Sequence, residues 1–401
     1  MQLVERHQIR RHNPMYRDLD RLCFLSKNLY NRALYEVRQH YFNTKTFLTG
    51  FSLKKQLASC NDYDYRQLPS KVSQQVVLCL EQNFKSFFAL VKKKKSGEYD
   101  GIVKIPKYLS KTGRFVLIYT NQAISRVELK KGFVKLSGTE IKVKTSRTNI
   151  NQVRVVPCGD HIMVEIVYTM PDRPELKVNG RYCAIDLGLN NLATVSSNVL
   201  KPFIINGRPI KSVNAYFNKK KSEKQSKLRN GLKTSHKLKT LSLKRDNKIN
   251  DYLHKSSTLI VNQLVSNNIS TLIVGYNKGW KQDINIGVVN NQNFVSIPHY
   301  KFKQMLKYKC ELRGIKYLET EESYTSKCSF LDGEIIGKHD NYKGKRIKRG
   351  LFRTSEGKLI NADLNGSLNI LRNVVGDFKY SIEVCSTPLV YTLGFNERCT
   401  L

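Results

Sequence analysis

Two aspartates in the second half of the chain stand where a metal-dependent hydrolase needs them. Asp186 closes the run Tyr182-Cys183-Ala184-Ile185, which has the apolar character of a buried strand, and Gly188, Asn190 and Asn191 follow as turn formers. A buried strand that ends in a carboxylate holds a hard oxygen ligand rigidly, as divalent-cation chemistry on a phosphodiester requires. The same placement also suits a plain turn residue. Asp363 lies in Asn361-Ala362-Asp363-Leu364-Asn365-Gly366-Ser367, at the start of an apolar helical pattern, where it could serve as an N-cap. Ala362, Gly366 and Ser367 are small, so this helix can approach a sheet edge closely and carry Asp363 towards Asp186.

Both residues need a frame. Leu192–Ser196 and Phe203–Ile205 continue the strand start at 182 as hairpins, and Thr271–Val274 and Ile315–Leu318 read as further strands. Between them the segment 215–250 is strongly basic without an obvious apolar stripe, which predicts a long solvated helix or helix pair. Thr258–Val265 reads as a helix. Another opens at Ser296-Ile297-Pro298-His299, turns Phe302, Met305, Leu306 and Leu312 inward and stops at Gly314, and Ala362–Leu371 is a last core helix. Strands alternating with helices predict an α/β sheet.

The first half has a different texture. Residues 1–12 include a strand, Asn13-Pro14 opens a helix with Leu19, Leu22, Leu29, Ala33 and Val37 inward, and a second helix follows Pro69 and ends in Lys92–Lys95. From about 100 to 180 short strands recur: 115–119, 124–129, 133–136, 141–143, 153–156 and 162–167, which predict a small β-barrel or sandwich. Pro171, Pro174 and Gly180 mark a linker.

The charge names the class of partner. Sixty-nine Lys and Arg against 32 Asp and Glu leave +37 on 401 residues. A compact fold with that charge repels itself unless a polyanion shares it, and nucleic acid does so with release of condensed counterions. Lys219, Lys220, Lys221, Lys345, Arg346, Lys348 and Arg349 are candidate phosphate contacts. The alternatives are a basic ribosomal-type protein, a membrane-surface binder, or simply solvated loops. No apolar run is long enough to span a bilayer, and the first residues lack the apolar core of a signal peptide. Nine cysteines without a Cys-x-x-Cys pair read as reduced thiols in a cytoplasmic protein.

The segments around the two aspartates carry a resemblance. Ala184-Ile-Asp-Leu-Gly-Leu-Asn-Asn-Leu-Ala-Thr194 is similar to the first RuvC motif of the TnpB (OrfB) proteins of insertion sequences, which are relatives of type V CRISPR effectors. Asn361–Ile370 resembles the third motif, Tyr252–Ser257 the helix before the second, and Tyr324–Ser329 the start of the zinc ribbon. Asn28–Asn31 and Ile105–Tyr108 resemble the family in the first half.

The resemblance implies a multidomain α+β protein. A wedge-like β-barrel would occupy 1–12 and 100–178, with an inserted helical recognition domain at 13–99. An RNase H-like (RuvC) nuclease domain would follow at 180–375 with a zinc-ribbon insertion at 323–360, and 376–401 would be a tail. It implies an endonuclease guided by RNA from the transposon end, cutting double-stranded target DNA at an Asp-Glu-Asp site with two Mg²⁺ ions, or with Mn²⁺ as the alternative. It implies a cytoplasmic protein associated with the nucleoid. Its alternatives are a nuclease-inactive RNA-guided repressor and a transposase that joins DNA directly.

Two departures from the family pattern matter. The second motif ordinarily ends its strand in Glu, and here Gly275 stands there. The run Leu318-Glu319-Thr320-Glu321-Glu322-Ser323 offers a substitute on the neighbouring strand, as in relatives with a relocated glutamate. Alternation puts Glu322 and Thr320 on one face, making Glu322 the expected ligand beside Asp186 and Asp363, and Glu321 the runner-up. The zinc ribbon keeps only Cys328, with His339 the one further nitrogen ligand in 330–360, so no structural zinc is expected. Trp280, Lys278 and Lys281 are candidates for gripping nucleic acid, with a structural cap on the core as the alternative, and His254 for a place near phosphate, with a helix-surface or core position as the alternative.

Overall fold

The computed structural model describes residues 1–229, 231–277, 297–378 and 387–395; Lys278, Trp280, Lys281 and the asparagines at 290–293 lie outside them. The chain divides into two compact units, Met1–Pro171 and Asp172–Leu401. Among the described residues no helix is long and apolar enough to cross a membrane.

In the first unit, strand β1 (Gln2–Arg10) precedes helices α1 (Met15–Thr44), α2 (Gly50–Ser59), α3 (Tyr63–Arg66) and α4 (Ser70–Lys95). Then come β2 (Leu117–Thr120), the short helix α5 (Arg126–Lys130), β3 (Phe133–Lys135), β4 (Lys142–Lys144), β5 (Ile150–Pro157) and β6 (His161–Thr169). The strands make an open antiparallel sheet in the order β1-β6-β5-β2 and a separate β3-β4 hairpin, rather than a ladder closed on itself. The segment 124–129, expected as a strand, is mostly α5, because Ser125 caps Glu128 N–H and starts a turn. The apolar stripe of α1 buries Leu19, Leu22, Leu29, Ala33 and Val37 in the core that Val72, Val76 and Phe84 of α4 share. Asn31 clamps the extended chain after α4, its amide donating to Leu109 O and accepting from Leu109 N at 3.0 and 2.8 Å.

The second unit is built on one mixed sheet. β7 (Tyr182–Asp186), β8 (Asn191–Ser197) and β9 (Phe203–Asn206) are antiparallel neighbours. Helices α6 (Arg208–Gln225) and α7 (His236–Ser266) follow as the predicted basic pair, with Thr258–Val265 the last turns of α7 rather than a separate helix. β10 (Thr271–Tyr276) then pairs parallel to β7 on its other side. α8 (His299–Glu311) leads to β11 (Lys316–Glu321), which is parallel to β10. β12 (Lys345–Lys348), β13 (Leu351–Arg353) and β14 (Leu359–Asn361) form a small antiparallel sheet, and α9 (Ala362–Val375) follows directly. β15 (Leu389–Tyr391), in a segment whose sequence carries no readable pattern, pairs parallel to β9 and completes the order β11-β10-β7-β8-β9-β15. The central residues of β7 and β10, Cys183–Ile185 and Leu272–Val274, are buried and apolar on both faces, as a central parallel pair covered by helices requires.

Candidate functional site

Asp186 ends β7 opposite Thr194 and sits half-buried at the carboxyl end of the central strand. The turn that follows is tight: a Cβ on Gly188 would lie 2.6 Å from Asn191 O, so no other residue fits there without a shift. Asp363 is in the first turn of α9. Asn361 supplies the cap, accepting from Asp363 N and Leu364 N at 3.0 and 3.1 Å, so Asp363 is not the N-cap and its carboxylate is free for other contacts. The helix lies close on the sheet because its facing residues are small. A Cβ on Gly366 would come 3.0 Å from Asp186 Oδ2, and Ser367 Oγ is 2.8 Å from Ser196 Oγ.

The third carboxylate reaches this place from the next strand but one. In the register, Gly275 faces Thr320, and Glu322 donates its backbone N–H to Tyr276 O. A Cβ on Gly275 would lie 2.4 Å from Glu322 Oε2 and 2.6 Å from Ile370 Cδ1. The Glu322 carboxylate therefore occupies the space that a side chain on residue 275 would claim. Asn277 holds it, donating to Glu322 Oε1 at 2.9 Å. Glu321 points away, is exposed, and accepts from Ser323 Oγ at 2.9 Å.

The electrostatics follow from that crowding. Burial, then the charges of Glu322 and Asp363, push the Asp186 carboxyl well above its ordinary range, with Arg346 opposing. Burial also raises Glu322, and Lys303 opposes it. A carboxyl raised by two neighbouring carboxylates belongs to the kind of hard-oxygen donor set that a divalent cation neutralises, so the residue types fit such an ion. The spacing is open, however. Among the described residues no group of three or more His, Cys, Asp or Glu side chains stands close enough to hold a metal ion. Asp363 is engaged elsewhere, accepting from Asn191 Nδ2 at 2.7 Å and Arg346 Nη2 at 2.9 Å.

The charge of the basic loop therefore falls partly on the site. Arg346 belongs to β12, and Lys345 and Lys348 are exposed on the same strand with Arg349 just beyond it. Lys219, Lys220 and Lys221 lie on α6, where Lys220 pairs with Glu223 at 2.8 Å. His254 is exposed on α7. A small cavity of about 190 Å³ beside Glu322 is lined by Gly275, Asn277, His299 and Lys303. His299 Nε2 is 3.0 Å from Gly188 O, and Lys303 ion-pairs with Glu319 at 2.8 Å. Sequence reasoning missed Asn191, Asn277, His299 and Lys303. Asn191 reads as a turn former and Asn277 carries no reading, and only the fold brings the two to the carboxylates.

The insertion after β11 is tied by packing and polar staples. Cys328 is buried, and its backbone carbonyl accepts from both Asn365 and Asn369 of α9 at 2.8 and 2.7 Å. Buried Glu334 accepts from Ser329 N and Lys343 N at 2.7 and 2.8 Å, and Arg372 donates to its carbonyl. Phe330, Phe352 and Ile360 pack on Leu364 and Leu368.

Comparison with known proteins adds the following. A family model described as a probable transposase (OrfB of the IS605 type) matches residues 165–281, and one for the Cas12f1-like TNB domain matches 299–370. A TnpB-like protein, ORF457, of Acidianus two-tailed virus is 25% identical over 406 aligned positions, covering 90% of this chain and 84% of that one. Two cryo-EM structures are similar at low level. A Cas12f1–sgRNA–target DNA complex has 14% identity and a TM-score of 0.39 over 92% of this chain and 98% of that one. A CRISPR–Cas12f ternary complex has 15% and 0.37 over 89% and 80%.

Proposed function

Starting from the finding that this chain belongs to the TnpB family, we propose that it is an RNA-guided DNA endonuclease whose acidic site is Asp186, Glu322 and Asp363. The observation that carries the reading is the exchange between positions 275 and 322. The strand that ordinarily brings the second carboxylate carries glycine, and Glu322 from β11 fills the emptied space, near enough to raise the Asp186 pKa. The strand order supports the same reading, since an antiparallel triplet extended by two parallel strands beside β7 suits an RNase H-like (RuvC) core.

In this reading Asp186, Glu322 and Asp363 would hold Mg²⁺ or Mn²⁺. A divalent ion held there would supply activation of a water and stabilisation of the leaving oxygen of a phosphodiester. The chain's own contribution is position. Asp186 is fixed by a central strand, Glu322 is oriented by the Asn277 amide, and Asp363 by Asn191. Arg346, at the rim, is placed to exchange its carboxylate partner for a phosphate of the substrate. Base pairing with the guide reads the sequence, while the basic surface grips backbones. We assign 1–12 and 100–178 to the wedge, 13–99 to recognition, 180–375 to the nuclease and 323–360 to a ribbon held without zinc. Lys219–Lys221 and Lys345, Lys348 and Arg349 are assigned to phosphate contact.

A second reading, RNA-guided binding without cleavage, is favoured by one observation: Asp363 is already neutralised by Arg346 and the carboxylates are spread. One experiment separates the two. The protein is purified with its RNA, the RNA is sequenced, and matched DNA is offered with Mg²⁺. Cutting that disappears in both Asp186→Ala and Glu322→Ala supports the nuclease. Binding without cutting in the wild type supports the second reading, and cutting retained in both variants removes the site assignment.

A further inference from the structure

Away from the carboxylates, α6 and α7 enclose a groove of about 860 Å³. Its floor is apolar and aromatic: Val213, Tyr216, Phe217, Leu241 and Phe395. Its walls are cationic: Lys224, Lys237, Lys244, Arg245 and Lys248. No carboxylate is among its lining residues. Tyr216 is 60% exposed, an aromatic ring left in solvent. Phe217 lies under the Arg245 guanidinium at 5.2 Å, and the Lys248 ammonium stands 5.9 Å from the Phe395 ring.

We propose that this groove binds an unpaired DNA strand, with bases on Tyr216 and Phe217 and phosphates on the lysines of the walls. Charge complementarity selects a polyanion and disfavours a second copy of a chain carrying +37. The aromatic floor selects an unpaired strand, because stacking needs open base faces, and a duplex would turn its backbone to these rings. The choice of DNA rests on the nuclease reading, since the groove belongs to the same compact unit as the three carboxylates.

The test uses the full chain in EDTA and fluorescence anisotropy with labelled oligothymidylate of about 20 nucleotides, an oligouridylate of the same length, and a duplex. The variant Tyr216→Ala/Lys244→Gln changes two exposed side chains, and its melting curve checks folding. The expected result is a loss of oligothymidylate affinity of about tenfold, with duplex affinity within about twofold. A photocrosslink from 5-iododeoxyuridine should land on Tyr216. Equal loss for strand and duplex, no loss at all, or loss confined to oligouridylate each overturns the proposal. Failure of the nuclease reading is read separately: a wild type that binds the strand as described and cuts nothing sinks that reading alone, whereas a cutting enzyme whose groove variant binds normally sinks the groove alone.

Discussion

Asp186 concentrates the electrostatics of the site, and that gives it a measurable signature without any substrate. Its raised pKa means that the folded state prefers the neutral carboxyl. The stability this group contributes is therefore full below its unfolded value, about 3.9, and is lost as pH rises through the higher folded value. In EDTA, Asp186→Asn should melt higher than the wild type near neutral pH, by roughly 2–4 °C for each kcal/mol of relieved repulsion, and the gap should close towards pH 4. Millimolar Mg²⁺ should raise the wild-type melting temperature and leave the variant's nearly unmoved. Equal melting curves across pH 4–8 would refute the coupling. Gly275 is the partner in a second prediction. Gly275→Ala puts a methyl into the Glu322 carboxylate and Ile370, a cost of about 1–2 kcal/mol that is relieved by swinging Glu322 away, so cleavage should fall far more than stability. Gly275→Glu combined with Glu322→Gln returns the carboxylate to the emptied strand and should cut better than Glu322→Gln alone; no gain would mean the two positions do not exchange. Strand alternation made the Glu322 face readable from sequence. Nothing local announced that Arg346, in a run of solvated cations, would turn onto Asp363.

At the scale of elements, the segment between β11 and α9 is fastened by a few polar staples. Its fastening is Glu334, whose two carboxylate oxygens take backbone N–H groups on either side of the loop, and Asn365 and Asn369, one helical turn apart on α9. Removing the Glu334 carboxylate strands two backbone donors, so Glu334→Ala should cost about 2–3 kcal/mol, while a zinc chelator should leave the melting temperature unchanged. A chelator that destabilises the purified protein would show that a metal does hold the knuckle. The strands and helices with clear periodicity were legible: β1, α1, α4, α9 and the basic helix pair. The ones that escaped were decided by partners far along the chain. β15 is a strand only because β9 leaves an edge open, and α5 displaced a strand because one serine caps it. The single cysteine is what the sequence offers on zinc in this segment, and the asparagine staples that tie the knuckle to α9 have no sequence signature.

For the whole molecule the governing quantity is +37. That charge was the plainest message in the sequence, yet composition does not say where the cations sit, and the fold distributes them. Some are spent internally: Arg114 on Asp20, Arg154 on Glu165, Lys303 on Glu319. Others stand exposed, Lys345 and Lys348 on β12 and Lys237, Lys244 and Lys248 in the α6–α7 groove, where a polyanion can screen them. Binding should therefore be dominated by counterion release. Each phosphate neutralised contributes about −0.7 to −0.9 to the slope of log K against log salt, so matched guide-loaded protein on DNA should show a slope of about −5 or steeper. Lys345→Gln/Lys348→Gln should shallow that slope by about 1–2 and, on the proposed RNA-guided reading in which pairing reads the bases, change little in which sequence is chosen. Affinity that holds steady from low to high salt, or a changed target preference in that variant, would mean the surface recognises something other than a phosphate backbone.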